Sequence, residues 1–302
     1  MAKFAMFNRR LNKFIAIAEE GYRKMIEITG KNKLPSKFII ICIVMGILVS
    51  ACTAVPLTGR MQLAILPDSQ LKAMGITAYR DFLKNSTLAK DEAQTRMVQE
   101  VGSKIAAAAE DYLRGRGEGY RLADFNWEFN LIEDKTPNAW AMPGGKIAVY
   151  TGILPYTKTP EGLAVVISHE IAHVVARHGN ERMSQAMLIQ AGGLVLQAAL
   201  GTKTPQQQQA FLAAYGLGAN IGISLPFSRA HEYEADHLGL IFMGRAGYDP
   251  NAASEFWKAM TVATGEKKTI EYLSTHPSDE KRLANIRKIM PEARQYYRKE
   301  RF

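Results

Sequence analysis

Val165-Val166-Ile167-Ser168-His169-Glu170-Ile171-Ala172-His173-Val174 is the stretch from which the rest of this chain can be read. Two histidines stand four residues apart, with a glutamate directly after the first. On an α-helix that spacing puts both imidazoles on one face, one turn apart, so they can converge on a single ion. Glu170 then lies where a carboxylate can handle the proton of a water without displacing it. The surrounding residues are apolar, and two imidazoles and a carboxylate are costly there unless a metal engages them. Upstream, Thr159-Pro160-Glu161 is a helix start: a capping hydroxyl, proline at the first helical position and an acid in the first turn. The helix is predicted to run to His178 and to stop at Gly179.

A catalytic zinc takes three protein ligands and keeps one position open. A metzincin would place Gly three and His six residues beyond the second ligand. Those places hold Ala176 and Gly179, which excludes that class. Ser228-Arg229-Ala230-His231-Glu232-Tyr233-Glu234-Ala235-Asp236-His237 offers the alternatives. Glu232 and Asp236 are four apart and share a helix face, so one can bind the metal while the other accepts a hydrogen bond from a ligand histidine. His231, Glu234 and His237 point elsewhere if Glu232 faces the ion. His178 is read as a helix-end histidine favoured by the dipole, not as a ligand.

His169-Glu-x-x-His173 followed by Ser228-Arg229…Glu232-x-x-Ala235-Asp236 resembles the gluzincin metallopeptidase family of the CAAX prenyl protease, HtpX, BepA, LoiP and the mitochondrial Oma-type protease. Asn138-Ala139 through Pro143-Gly144-Gly145 to Tyr150-Thr151-Gly152 resembles that family's edge-strand region, and Thr275-His276-Pro277 with Arg282 its downstream His-Pro element. The likeness covers roughly residues 53–290 and is nearest to the periplasmic lipoprotein branch typified by LoiP. It implies an α+β class: a mostly helical zincin-like domain with a small antiparallel sheet next to the helix of the two histidines. It implies one zinc ion per chain, held by His169, His173 and Glu232, with Glu170 as catalytic base. Asp236 and Arg282 would stand behind the ligands. His276 would approach the open metal position, either to stabilise an oxyanion or to occupy the site in a latent state.

Outward from these motifs, Phe125, Trp127, Phe129 and Leu131 alternate and predict a strand; Asn138–Ala141 and Lys146–Tyr150 predict two more, joined by a tight turn at Pro143-Gly144-Gly145. Residues 69–113 carry apolar residues at helical spacing and predict two helices. Residues 184–201 and 207–225 are rich in Ala, Gly and Gln and predict buried or membrane-facing helices near the site rather than a transmembrane hairpin. Residues 228–246 predict another helix, and two or three more finish the chain.

The net charge of +9 suggests nucleic acid until it is located. Nine Lys/Arg against three Asp/Glu in residues 1–51 account for +6 of it, and no basic stripe interleaved with aromatics follows, so no nucleic-acid partner is expected. Two cysteines, Cys42 and Cys52, exclude a disulfide scaffold. Fourteen uncharged residues, Phe38 to Ala51, follow Lys31, Lys33 and Lys37 and end in Leu48-Val49-Ser50-Ala51-Cys52, which resembles a bacterial lipobox. The expected organisation is an N-terminal extension or mis-assigned start over 1–24, a lipoprotein signal peptide over 25–51, a tether over 52–68 and the metallopeptidase domain over 69–302. Cys52 would carry the lipid anchor, in a bacterial envelope. Thr53 gives no Asp-type retention signal, which favours the outer membrane facing the periplasm.

The implied reaction is hydrolysis of peptide bonds in misfolded or misassembled envelope proteins, with substrate paired along a sheet edge near Lys146 to Tyr150. Two rivals stand beside it. One is an assembly factor that holds envelope proteins on the segment 184–225, with latent cleavage. The other is a membrane-integrated CAAX-type protease.

Overall fold

The computed structural model describes residues 52–55, 58–201, 203–219, 225–265, 271–277 and 280–297. The extension and signal segment expected over residues 1–51, with Cys42, lie outside the described residues. The chain divides into two compact units. The smaller holds β1, Cys52–Ala54, and β2, Met61–Leu63, paired antiparallel with Cys52 opposite Leu63. The stretch read as a tether therefore contains a strand pair.

The larger unit begins with α1, Asp68–Lys84, and α2, Glu92–Gly115. Asp91 caps α2 by accepting a hydrogen bond from the Gln94 amide at 3.0 Å. Val98, Val101, Ile105, Ala109 and Tyr112 are buried at steps of three and four, the inward stripe of an amphipathic helix. A three-stranded sheet follows: β3, Glu128–Ile132, β4, Ala139–Met142, and β5, Lys146–Tyr150. Gly144 and Gly145 turn the chain between β4 and β5 at φ of 89° and 81°, values open to glycine and strained for other residues.

The strand order is β3-β5-β4. β5 pairs antiparallel with β4 but parallel with β3, so the sheet beside the histidine helix is mixed rather than wholly antiparallel. Alternation reports which face a strand buries; it carries no information about which neighbour the strand pairs with. The order also corrects the expected substrate strand. β5 is paired on both sides and has no free edge, whereas β4 pairs only with β5 among the described residues.

After a short α3, Leu154–Thr157, comes α4, Pro160–Ala176, which carries the two histidines. Thr159 Oγ1 accepts from the Gly162 amide at 3.2 Å, the expected cap. Almost all of α4 is buried because α2, α7, α8 and the β4 side of the sheet enclose it. Its sequence is apolar all round for that reason. The helix ends two residues earlier than predicted. Arg177 takes the left-handed conformation (φ 61°, ψ 32°) and α5, His178–Ala199, starts at once, so Gly179 lies inside a new helix. Arg177 is held there by ion pairs to Asp68 (2.5 Å) and Asp124 (3.4 Å).

The first turns of α5 are buried through His178, Asn180, Glu181 and Ser184. Beyond them α5 and α6, Pro205–Ala219, form exposed helices, with Val195 70% and Leu217 62% accessible. Of the two expectations for this segment, burial is overturned. Among the described residues no helix is long and apolar enough to cross a membrane. α7, Leu225–Arg245, packs across α4; a Cβ on Gly239 would stand 3.1 Å from the backbone of Ser168 and His169, so a side chain there requires the two helices to give by a few tenths of an ångström. α8, Ala252–Gly265, α9, Glu271–Thr275, and α10, Glu280–Tyr296, complete the unit.

Candidate metal centre

Four donors from three places in the chain meet in the core. His169 and His173 come from α4, Glu232 from α7, and His276 from the end of α9, and one ligand atom of each lies within 4.8 Å of the others. All four are buried. His173 Nε2 stands 3.0 Å from His169 Nε2, Glu232 Oε2 stands 3.1 Å from His169 Nε2, and His276 Nδ1 stands 3.0 Å from Glu232 Oε2 and 3.2 Å from His169 Nε2. Donors about 2.05 Å from a tetrahedral zinc are about 3.3 Å from one another, so the spacing fits that ion. Hydrogen bonding alone does not explain it: His169 Nε2 faces three donors and can carry a single proton.

The second ring nitrogen of His169 fixes its orientation. Nδ1 lies 3.0 Å from Asp236 Oδ1, so its N–H donates there and Nε2 keeps a lone pair towards the cluster. Arg282 grips Asp236 with two bonds, Nε to Oδ2 at 2.7 Å and Nη2 to Oδ1 at 2.8 Å. Its Nη1 also reaches Glu232 Oε2 at 3.1 Å and donates to the carbonyl oxygens of His276 and Pro277 at 3.1 and 3.2 Å. The guanidinium lies over the Trp257 ring at 3.9 Å. One buried arginine thus joins α7, α8, α10 and the His276 segment.

Electrostatics follow from this packing. Burial pulls the His169 pKa down, but the Glu232 charge and hydrogen bonds to Asp236 and Glu232 outweigh it against Arg282, and the value rises to about 9. Burial holds His173 well below the ordinary histidine value, against the pull of Glu232. Glu232 lies well below the usual carboxylate range: burial opposes ionisation, and His276, His169 and His173 overcome it. Asp236 is likewise lowered, by Arg282 first, against its burial. Glu170 moves the other way, because burial raises it more than His276 and His169 lower it. Its Oε1 is 3.4 Å from His276 Nε2 and accepts from the Tyr272 hydroxyl at 3.4 Å.

All seven side chains expected at the site, His169, Glu170, His173, Glu232, Asp236, His276 and Arg282, therefore stand together. Sequence reasoning missed Tyr272, which lies one helical turn before His276; that i, i+4 spacing is the one signal it gave. Glu234 points away from the four donors, as expected, whereas His178 is misplaced. His178 opens α5 rather than closing α4; it is not one of the four donors, yet its Nδ1 touches His173 Nδ1 at 2.8 Å and its Nε2 touches Glu234 Oε2 at 3.0 Å. Beside His173 a cleft opens, bordered by Ala141 and Met142 of β4, Pro143, Phe125, Arg177 and Arg182.

A buried helix with two histidines one turn apart, a glutamate from a crossing helix and a carboxylate positioned for proton transfer define a metallopeptidase of the zincin class. The model for peptidase family M48 matches residues 92–290, and the chain belongs to that family. It is 43% identical over 173 residues to the mitochondrial metalloendopeptidase OMA1 of Schizosaccharomyces pombe, covering 57% of this chain and 49% of that protein. Against the OMA1 of Saccharomyces cerevisiae it is 32% identical over 207 residues, 66% of this chain and 57% of the relative. Against the β-barrel assembly-enhancing protease of Yersinia pestis it is 28% identical over 247 residues, 80% and 48% of the two chains. The chain spans about half the length of these relatives. The family depends on zinc, and the four-donor cluster has the chemistry to hold it.

Proposed function

We propose that this chain is a zinc-dependent metalloendopeptidase, with His169, His173 and Glu232 as ligands and Glu170 as the catalytic proton carrier. The convergence of these donors from two crossing helices is the observation that carries the reading. Zinc, when bound, supplies Lewis-acid polarisation of the scissile carbonyl and acidifies the attacking water. Glu170 takes that water's proton and returns it to the leaving amine. Its raised pKa suits a group that must both accept and release a proton. Tyr272 holds one carboxylate oxygen of Glu170 in place. Asp236, backed by Arg282, keeps His169 in the tautomer that faces the ion.

Substrate binds extended against β4, whose outer edge lies by the cleft that reaches His173. His276 stands where a fourth ligand would, which favours a latent resting state in which it fills the position a substrate must take. Replacing Glu170→Gln should lower the hydrolysis rate by roughly 10²–10⁴-fold with zinc content unchanged. Unaltered hydrolysis would remove Glu170 from the mechanism.

The substrates we infer are misfolded or misassembled proteins of a bacterial envelope, cut as quality control by an enzyme anchored through lipid on Cys52, in the outer membrane facing the periplasm. Support comes from the lipobox-like Leu48–Cys52 run and from relatives named as β-barrel assembly-enhancing proteases. Labelling with a palmitate analogue tests the anchor: Cys52→Ser should abolish incorporation. One observation favours a holding role as well: Leu194, Val195, Phe211 and Leu217 are exposed on α5 and α6. If the Glu170→Gln protein restores a deletion strain, holding rather than cleavage is the principal function.

A further inference from the structure

Beyond the four donors a second buried cluster stands at the junction of α5 and α7. His178 and His231 stack with ring centroids 4.3 Å apart. His231 Nε2 lies 2.9 Å from Glu181 Oε2, and His178 Nε2 lies 3.0 Å from Glu234 Oε2. Thr58 donates to the other oxygen of Glu234. His178 is fully buried and Glu234 is 5% accessible. The cluster meets the metal centre where His178 Nδ1 stands 2.8 Å from His173 Nδ1.

That contact has only one workable polarity. His173 presents Nε2 to the donor cluster, so as a ligand it is neutral and carries its proton on Nδ1. Nδ1–H must donate, and His178 Nδ1 must accept. His178 then carries its own proton on Nε2, and donates it to the Glu234 carboxylate. The carboxylate, through the His178 imidazole, selects the tautomer of the ligand.

We propose that His178 and Glu234 are positioning residues for the metal: a carboxylate–imidazole relay that orients His173 as Asp236 directly orients His169. Each ligand of α4 is thereby held by a carboxylate of α7, His169 in direct contact and His173 through His178 of α5. Thr58 extends the relay to the segment that precedes α1. This inference rests on the zinc reading above.

The test is zinc affinity of the full-length protein, measured by competition with a chromophoric chelator, together with the visible spectrum of the cobalt-substituted form. His178→Leu keeps bulk but cannot accept a hydrogen bond. His178→Gln can accept from His173 and donate to Glu234. The leucine variant should bind zinc about 10–100-fold more weakly and shift the cobalt bands, and glutamine should restore affinity to within about threefold of wild type. Wild-type affinity in the leucine variant, or equal losses in both, would overturn the relay. If His178→Leu does not fold, Glu234→Leu, which removes the acceptor for His178 Nε2–H, decides: weaker zinc binding supports the relay and unchanged binding refutes it. His169→Ala is the control for the metal reading itself. A wild-type protein without zinc, or a His169→Ala protein that keeps it, would sink that reading and the relay together.

Discussion

His169 carries the logic of the site on its two ring nitrogens: Nδ1 is committed to Asp236, and Nε2 is left for the ion. The acidic surroundings that would attract a divalent cation also hold a proton on the metal-free ring, with a pKa of about 9 against an ordinary 6.5. The sign follows. A raised folded value stabilises the zinc-free fold fully below about 6.5, and the contribution is lost as pH rises through about 9. Zinc needs the neutral ring, so its affinity should climb over the same window, and binding near pH 7 should release about one proton per ion. Calorimetry in two buffers of different ionisation enthalpy reads that proton; none released would contradict the protonated ring. A second residue-scale prediction concerns His276. His276→Ala should raise basal casein cleavage and speed zinc loss to a chelator, because the blocking imidazole and a donor go together. A fall of about 100-fold in cleavage would instead assign it to the oxyanion. At this scale the sequence was informative wherever a motif states its own geometry. His169, Glu170 and His173 follow from i, i+4 spacing; Glu232 and Asp236 share a face by the same spacing, and the family resemblance assigned which of them binds the ion. His178, Glu234 and Tyr272 do not follow in this way, because no spacing reveals which side chain of another helix will face them.

The elements explain why those spacings become a site. α4 and α7 cross closely, and Gly239 keeps a side chain out of the tight contact with Ser168 and His169. Gly239→Val should cost about 1–3 kcal/mol of stability through overpacking and should weaken zinc binding as the helices part. Thermal unfolding with and without zinc checks both effects; an unchanged melting temperature would show that the crossing tolerates a side chain. Helix positions were largely legible: the start of α4 at Thr159-Pro160 is as the capping chemistry demands. Its end departs from the expectation that glycine at 179 sets, because Arg177 adopts the left-handed turn with two carboxylates steadying it. The free edge of the sheet was misread for a different reason. β4 and β5 look equally strand-like in sequence, and only the return of β3 to the far side of β5 decides which is covered.

For the molecule as a whole, the ligands tie α4, α7 and the end of α9 together, and Arg282 adds α10. Removing zinc with a chelator should lower the melting temperature, and restored zinc should return it in a concentration-dependent way, since ligand binding to the folded state alone shifts unfolding. The class of fold and the family were legible from two short motifs, while the exposed apolar helices α5 and α6 were not, because an uncharged helix reads alike whether core, membrane or a partner covers it. The most direct measurement is zinc stoichiometry of the purified full-length chain by mass spectrometry, beside a variant with alanine at His169, His173 and Glu232. One zinc per chain is expected in the wild type and in Glu170→Gln, and none in the triple variant. A wild-type protein without zinc, or a triple variant that keeps it, would contradict the assignment.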